Sequence, residues 1–218
     1  MTRFHPTVAA LLLTAAAATP APTQMLGAPV TNILAGASDR ALDKLSQPGA
    51  FFADEAVRIA LPGPLKKMGG LMKLADQTGL TNGLSKSIND AAGIAAKEAK
   101  PIFRSAIGKM DVRGGIGVLS SGDGGTKYLR QSAGDELRTK IRPMIVTALG
   151  KTGAFGQLDR MGGGAKLLGG LGIDKDGLTD SVTDQTLDGI YKYIGSEESK
   201  LRANPLGNAK KLLGGFKP

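Results

Sequence analysis

The chain has 218 residues, with 28 Lys and Arg against 19 Asp and Glu and a formal charge of +9. It holds 32 Gly, one His, no Cys and no Trp, and aromatic residues make up 4%. With Gly at about twice average usage and so few rings, a core built on aromatics is excluded. So are disulfides, and no stretch approaches the roughly 20 apolar residues of a membrane span.

Residues 1–18 carry the three parts of an export signal. Arg3 is the positive region, Val8 to Ala18 is apolar apart from Thr14, and Ala16 and Ala18 form an A-x-A cleavage site. A cut after Ala21 also fits the rule, but Pro22 would hinder it. The absence of Cys excludes a lipoprotein anchor. Cleavage removes His5, the only imidazole, and lowers the charge to +8. Residues 19–30, rich in Pro, Ala and Thr, read as a flexible leader. The rest, 31–218, reads as one domain, which is long enough to be held by packing alone.

Helical spacing then dominates. Ile33, Ala37, Ala41 and Leu45 repeat at four from a cap at Thr31 or Asn32, and Pro48-Gly49 ends the helix. Phe51 to Pro64 reads as an extended loop, since Pro62 and Pro64 bias their predecessors away from helix. A short helix is expected at Leu65, Met68, Met72 and Ala75, ended by Gly79. A long one follows, with Leu84, Ile88, Ala91, Ala95, Ala99, Ile102, Ala106 and Met110 in register across Pro101. Gly114, Gly115 and Gly117 weaken the Asp111–Ser121 stretch.

Asp123 is the expected N-cap of a second long helix. Tyr128, Leu129, Ala133, Leu137, Ile141, Ile145 and Leu149 mark its apolar side, and Pro143 interrupts it. Gly150 to Gly172 reads as a Gly-rich loop with one weak helical turn. The last main helix is expected to open at Thr179-Asp180 and to bury Val182, Leu187, Ile190, Tyr191, Ile194 and Leu201. Asn204-Pro205 breaks it, and Leu206 to Leu213 form a closing helix. The expected fold is all-α, a single globular domain of about six or seven helices, two of them long and Pro-interrupted.

Four blocks are similar to a known family: "VRIALPGPL" (Val57–Leu65), "PIFRSAIGKM" (Pro101–Met110), "VLSSGDGGTKYLR" (Val118–Arg130) and "TLDGIYKYIGSEESKLRANP" (Thr186–Pro205). In this order, and behind an export signal, they make the chain resemble the exported bacterial proteins grouped as domain of unknown function 4197, over about Ala35 to Phe216. The resemblance implies a helical protein sent to the cell envelope, and no activity. This chain departs from the pattern at Gly93 and Gly114, where Glu and Asp are usual, and at Gly124-Gly125, where Ala-Ala is common.

The residues exclude more chemistry than they suggest. Without His or Cys beyond the signal, Ser–His–Asp and Cys–His catalysis and zinc, haem or blue-copper sites have no ligands. No Ser stands three residues before a Lys, as S-x-x-K requires. Gly150-Lys151-Thr152 resembles the end of a phosphate loop, but Ile145 stands where its first Gly is needed, and a helix precedes it. Asp174, Asp176 and Asp180 follow calcium-loop spacing only loosely, with Leu178 fifth and Gln185 twelfth. No cofactor is implied. Paired carboxylates remain, at Glu197-Glu198 and along Asp180, Asp184 and Asp188, whose spacing fits a solvated helix face.

Charge is uneven. Residues 174–188 are acidic, whereas Lys200 to Lys217 are basic and carry Leu212, Leu213 and Phe216, a pattern that suits an anionic membrane surface or a docked closing helix. Nucleic acid is not an expected partner, because aromatic stacking platforms are few. Gly122-Asp123-Gly124-Gly125-Thr126, at a helix start, is the best local candidate for an anion, although the Asp123 carboxylate itself would fill that role. The candidate ligand or interaction residues are Gly122, Asp123, Thr126, Tyr128, Arg130, Asp188, Glu198 and Arg202. Three readings follow. The first is a non-catalytic envelope protein that binds a protein or an anionic membrane. The second is a carrier of an apolar ligand among Met68, Met72 and Met110, and the third a carboxylate-based hydrolase of envelope glycans.

Overall fold

The computed structural model describes residues 22–62, 80–111, 121–161 and 174–203. Every regular element among them is a helix: α1 (Pro22–Leu45), α2 (Ala50–Ala53), α3 (Leu80–Gly108), α4 (Gly124–Lys151), α5 (Ala154–Met161) and α6 (Lys175–Ala203). The expected signal, the short helix before Gly79, the Gly-rich stretch after Asp111, the Gly162–Gly172 part of the loop and the closing helix lie outside the described residues.

The four long helices form a ring in which α1 packs on α3 and α6, and α4 packs on the same two. Ion pairs set their directions. Asp39–Arg104 and Asp43–Lys100 run α1 against α3. Lys44–Glu197, with Leu201 beside Gly36, runs α1 against α6. Arg130–Asp188 and Arg142–Asp176 run α4 against α6. Lys109, just past the end of α3, reaches Glu136 of α4, while Gln157, just past the far end of α4, bonds Ser87 near the start of α3. Each neighbour is therefore antiparallel, which is an up-down-up-down bundle. The fold is a single all-α domain.

Its core comes from the expected stripes. Leu34, Leu42 and Leu45 meet Leu84, Ile88 and Phe103, with Leu129, Leu137, Ile141 and Ile145 from α4 and Leu178, Val182, Ile190 and Ile194 from α6, all essentially without exposure. Each such side chain contributes about 1.5–3 kcal/mol by leaving water. The inner face of α3 is lined by Ala91, Ala92, Ala95, Ala96 and Ala99, so its neighbours can approach closely. Pro101 and Pro143 sit inside α3 and α4 on exposed positions, where water can take the carbonyls that proline leaves unbonded.

Two helices begin earlier than the sequence pattern suggests. Helix α1 starts at Pro22 rather than Thr31, so much of the expected leader is helical. Proline suits a first helical position, and Gln24, Met25 and Leu26 are good helix formers. Helix α6 starts at Lys175 rather than at Thr179, because the Asp174 carboxylate accepts the Gly177 N–H at 2.7 Å and caps it. The expected loop after Leu149 is also shorter. Helix α4 runs to Lys151, Gly153 turns the chain at φ 75°, and α5 follows, burying Ala154 and Leu158.

The largest correction concerns the segment after Pro48. The turn through Gly49 (φ 76°) leads into α2, not directly into a loop, and α2 buries Phe51. The chain then extends from Arg58 to Pro62, with Val57 and Ile59 buried while Arg58 and Ala60 face out. This strand-like segment has no sheet. Side-chain amides from two helices replace the missing neighbours. Asn89 of α3 accepts the Ile59 N–H at 2.8 Å and donates to the Ile59 carbonyl at 3.0 Å. Gln185 of α6 does the same for Ala60, at 2.9 and 3.0 Å. Tyr193 adds a bond to Asp54 at 2.5 Å, which lifts the tyrosine pKa to about 12 and holds the Asp54 carboxyl below its ordinary value. At Gly189 any Cβ would stand 3.0 Å from the Phe51 ring, so α6 needs a glycine there to let the segment seat.

Asn89 thus satisfies both backbone groups of a fully buried residue. Asn89→Leu keeps a similar volume but strips two buried polar groups of their partners. The loss expected in urea denaturation is about 2–4 kcal/mol. Gln185→Leu, at the exposed Ala60, should cost clearly less.

Candidate functional site

Glu198 is wholly buried near the end of α6, and its carboxylate points at the start of α4. Oε1 accepts the Gly125 N–H at 2.9 Å, and Oε2 accepts the Thr126 N–H at 2.8 Å and the Thr126 hydroxyl at 2.6 Å. Arg202, one turn on, donates to Oε1 from Nε at 2.9 Å and from Nη2 at 2.7 Å. The first free N–H groups of a helix carry partial positive charge and attract an anion. Here the anion is a side chain of the same protein.

This corrects the expectation at Asp123. The residue does occupy the N-cap position, yet its side chain makes no capping bond. It pairs instead with Lys127 at 3.0 Å. The hydrogen bond from Lys127 holds its carboxyl below the ordinary value, against the opposing effect of burial. Local sequence offered Asp123 for the cap, but a carboxylate contributed from 72 positions away takes the Thr126 N–H.

Beside this cap, the facing sides of α4 and α6 bound a groove of about 530 Å³. Asp123, Thr126, Lys127 and Arg130 form one wall, and Asp188, Tyr191, Lys192, Gly195, Ser196 and Ser199 the other. Both sets follow i, i+3/i+4 spacing, which is one helix face each. Arg130 bonds Asp188 at 2.5 Å across the mouth, with both side chains more than half exposed. Its guanidinium lies over the Tyr191 ring, 5.3 Å from the centroid. Tyr191 is itself buried, and burial pushes its pKa up to about 12. Its hydroxyl has no hydrogen-bond partner. Lys192 donates to the Ala56 carbonyl at 3.2 Å, and its charge also acts on Asp54.

Six of the eight candidates therefore meet here or just beneath: Asp123, Thr126, Arg130 and Asp188 in the groove, with Glu198 and Arg202 under its end. Gly122 adjoins them, with Ser199 Oγ 3.0 Å from where its Cβ would stand. Tyr128 is elsewhere and donates to the Asp111 carbonyl at 2.6 Å. Lys127, Lys192 and Ser196 were missed, although their spacing from Arg130 and Asp188 was legible once the two helices were set face to face.

The remaining carboxylates serve structure. Asp180 and Asp184 bond Arg138, and Asp180 and Asp176 bond Arg142, in a ladder along α4 and α6. Glu197 turns the other way, to Lys44 and Lys200. Burial pushes its pKa up, but the bonds from the two lysines outweigh this and hold it below the ordinary value. Among the described residues no group of three His, Cys, Asp or Glu side chains could hold a metal ion. Of the methionines of the carrier reading, Met110 packs at the edge of the core, and Met68 and Met72 lie outside the described residues. A second groove, about 690 Å³, lies between the α1–α2 turn and α3, beside Gly93, Lys97 and Glu98.

Glu198→Ala leaves the Gly125 and Thr126 donors and the Arg202 charge without their buried partner. A loss of about 3–5 kcal/mol is expected in chemical denaturation. The pH profile follows from Asp123, Asp180 and Glu197, whose folded pKa values lie below the ordinary 3.8 and 4.5. Their contribution is complete above those values and is lost as pH falls through the lower folded ones. Stability should hold down to about pH 5 and then decline, less steeply in Glu197→Gln, as melting curves across that range would show.

The sequence profile of the family described as "Protein of unknown function (DUF4197)" matches residues 22–216. The match begins where α1 begins and spans every described helix. No curated protein and no solved structure matches the chain. The profile covers most of the chain, and the chain belongs to the DUF4197 family.

Proposed function

We propose that the protein is exported and works in the cell envelope as a non-catalytic binding protein, with the α4–α6 groove as its docking site for an anionic partner. One observation carries the reading. The carboxylates that could have served catalysis are engaged in holding helices together, while the groove beside them is open and bears Lys127, Arg130 and Lys192. A cation-lined cleft raises the local concentration of anions and steers their approach. The +8 charge left after signal cleavage acts in the same direction. Export rests on the three-part pattern of residues 1–18 and on a chain free of thiols, which suits an oxidising compartment.

Two measurements test it. After expression from the full gene, the protein should appear in the periplasmic or medium fraction, shortened at its amino terminus. Full-length protein confined to the cytoplasm would end the envelope reading. Immobilised protein should recover the same acidic protein or lipid from envelope extract, released by salt. Recovery should fall several-fold for the Arg130→Gln/Lys192→Gln variant, and undiminished recovery would move the docking site elsewhere.

A further inference from the structure

We propose that the α4–α6 groove binds a phosphate-class oxyanion, held by Lys127, Arg130 and Lys192 with the Ser196 hydroxyl as a neutral donor. The inference rests on the groove being the docking site and narrows what docks there. The antiparallel register is pinned by Arg130 at Asp188 and by Gly195 packed against Asp123 and Thr126. It places Lys127 and Lys192 at the same level on opposite walls of the groove. Neither is strongly engaged. Lys127 has an exposed pair with Asp123 one turn before it, and Lys192 has one carbonyl at 3.2 Å with Asp54 nearby. Arg130 gives Asp188 one Nη and keeps its other donors.

Exposed pairs of this kind are weak, so a multiply charged anion that meets all three cations can displace them. Tyr191 is buried beneath Arg130 and lines the groove there. Its ring supports the Arg130 guanidinium, 5.3 Å from the centroid. The backbone donors at the helix start are already taken by Glu198, so the ligand must be gripped by side chains. Two carboxylates, Asp123 and Asp188, already reach the groove and leave its cations singly bonded. A phosphate-class oxyanion carries more charge than a single carboxylate and spreads it over more oxygens, which suits three cations and a hydroxyl.

The phosphate can come from a soluble ion or from a lipid headgroup, and one experiment separates them. The full chain is titrated with inorganic phosphate by calorimetry. It is also sedimented with phosphatidylcholine vesicles, with and without phosphatidic acid. Saturable phosphate binding is expected, weakened about tenfold or more in Arg130→Gln/Lys192→Gln and unchanged in Lys97→Gln/Lys151→Gln, which removes the same charge elsewhere. Groove-dependent sedimentation only with phosphatidic acid assigns the headgroup. Phosphate binding without sedimentation assigns a soluble ligand. Circular dichroism and melting confirm that both variants fold. The inference is overturned if neither probe binds, or if both variants lose binding equally. Should envelope partners still depend on Arg130 and Lys192 while phosphate does not bind, the docking site stands and the ligand class proposed here falls.

Discussion

The buried carboxylate of Glu198 is the contact on which the register of the bundle depends. Moving a carboxylate out of water costs several kcal/mol even after the protein relaxes around it. That cost is offset only when the charge is fully hydrogen-bonded. Gly125, Thr126 and Arg202 supply five donor contacts to its two oxygens. Two of the donors are backbone N–H groups in the first turn of α4, and the acceptor sits near the end of α6. Sliding one helix past the other by a turn would therefore strand a charge. The fit is close enough that a Cβ at Gly125 would stand 2.7 Å from Oε1. An alanine there gains helix propensity but has to push aside a carboxylate held on both oxygens.

With that end fixed, the rest of the α4–α6 interface follows in steps. Arg130 meets Asp188, Arg138 meets Asp184 and Asp180, and Arg142 meets Asp180 and Asp176. Each pair is exposed and contributes little alone. As a ladder they hold the two helices antiparallel, but the aspartates recur every four residues, so a one-turn slip would still find acids and the register itself rests on Glu198. Glu197 and Glu198 are adjacent in sequence but about 100° apart around the helix. One therefore ties α6 to Lys44 of α1 while the other ties it to α4. This is why two consecutive acids, which looked like a candidate catalytic pair, work on different sides of the bundle.

What could be read from sequence depended on how local its cause was. The stripes of α3, α4 and α6 come from 3.6-residue spacing, and Leu84, Ile88, Leu137, Ile141, Ile190 and Ile194 are buried as that spacing requires. The stop at Pro48-Gly49 is equally local. The α6 start was readable too, since Asp174 stands three residues before the amide it caps, but Thr179-Asp180 offered a competing cap of the same type. The Glu198 cap had no local signature. Nor did the amide clamps of Asn89 and Gln185, which hold residues 30 and 125 positions away. A strand-like alternation of Val57, Ile59 and Leu61 was present, but it is too short to separate from loop without knowing that two helices supply its hydrogen bonds. The groove was half legible: Arg130 and Asp188 were named, while Lys127 and Lys192 gain meaning only from the antiparallel pairing.

The same closure that stabilises the bundle decides what kind of site it can offer. Near Glu198, α4 and α6 approach so closely that Gly195 would place a Cβ 3.3 Å from that of Asp123. Further along, the groove opens at the surface, lined by Lys127, Arg130 and Lys192. Had Glu198 been apolar, the start of α4 would have presented backbone N–H groups to any passing anion, as helix starts do. Filling that position internally removes the generic anion site. On the proposed reading, recognition then falls to long side chains whose reach and charge are set residue by residue, over the buried Tyr191 ring. A site of that kind can be tuned through single surface substitutions without disturbing the cap beneath it. For that reason the groove, and not the glycine-rich helix start, is the site proposed here for a partner.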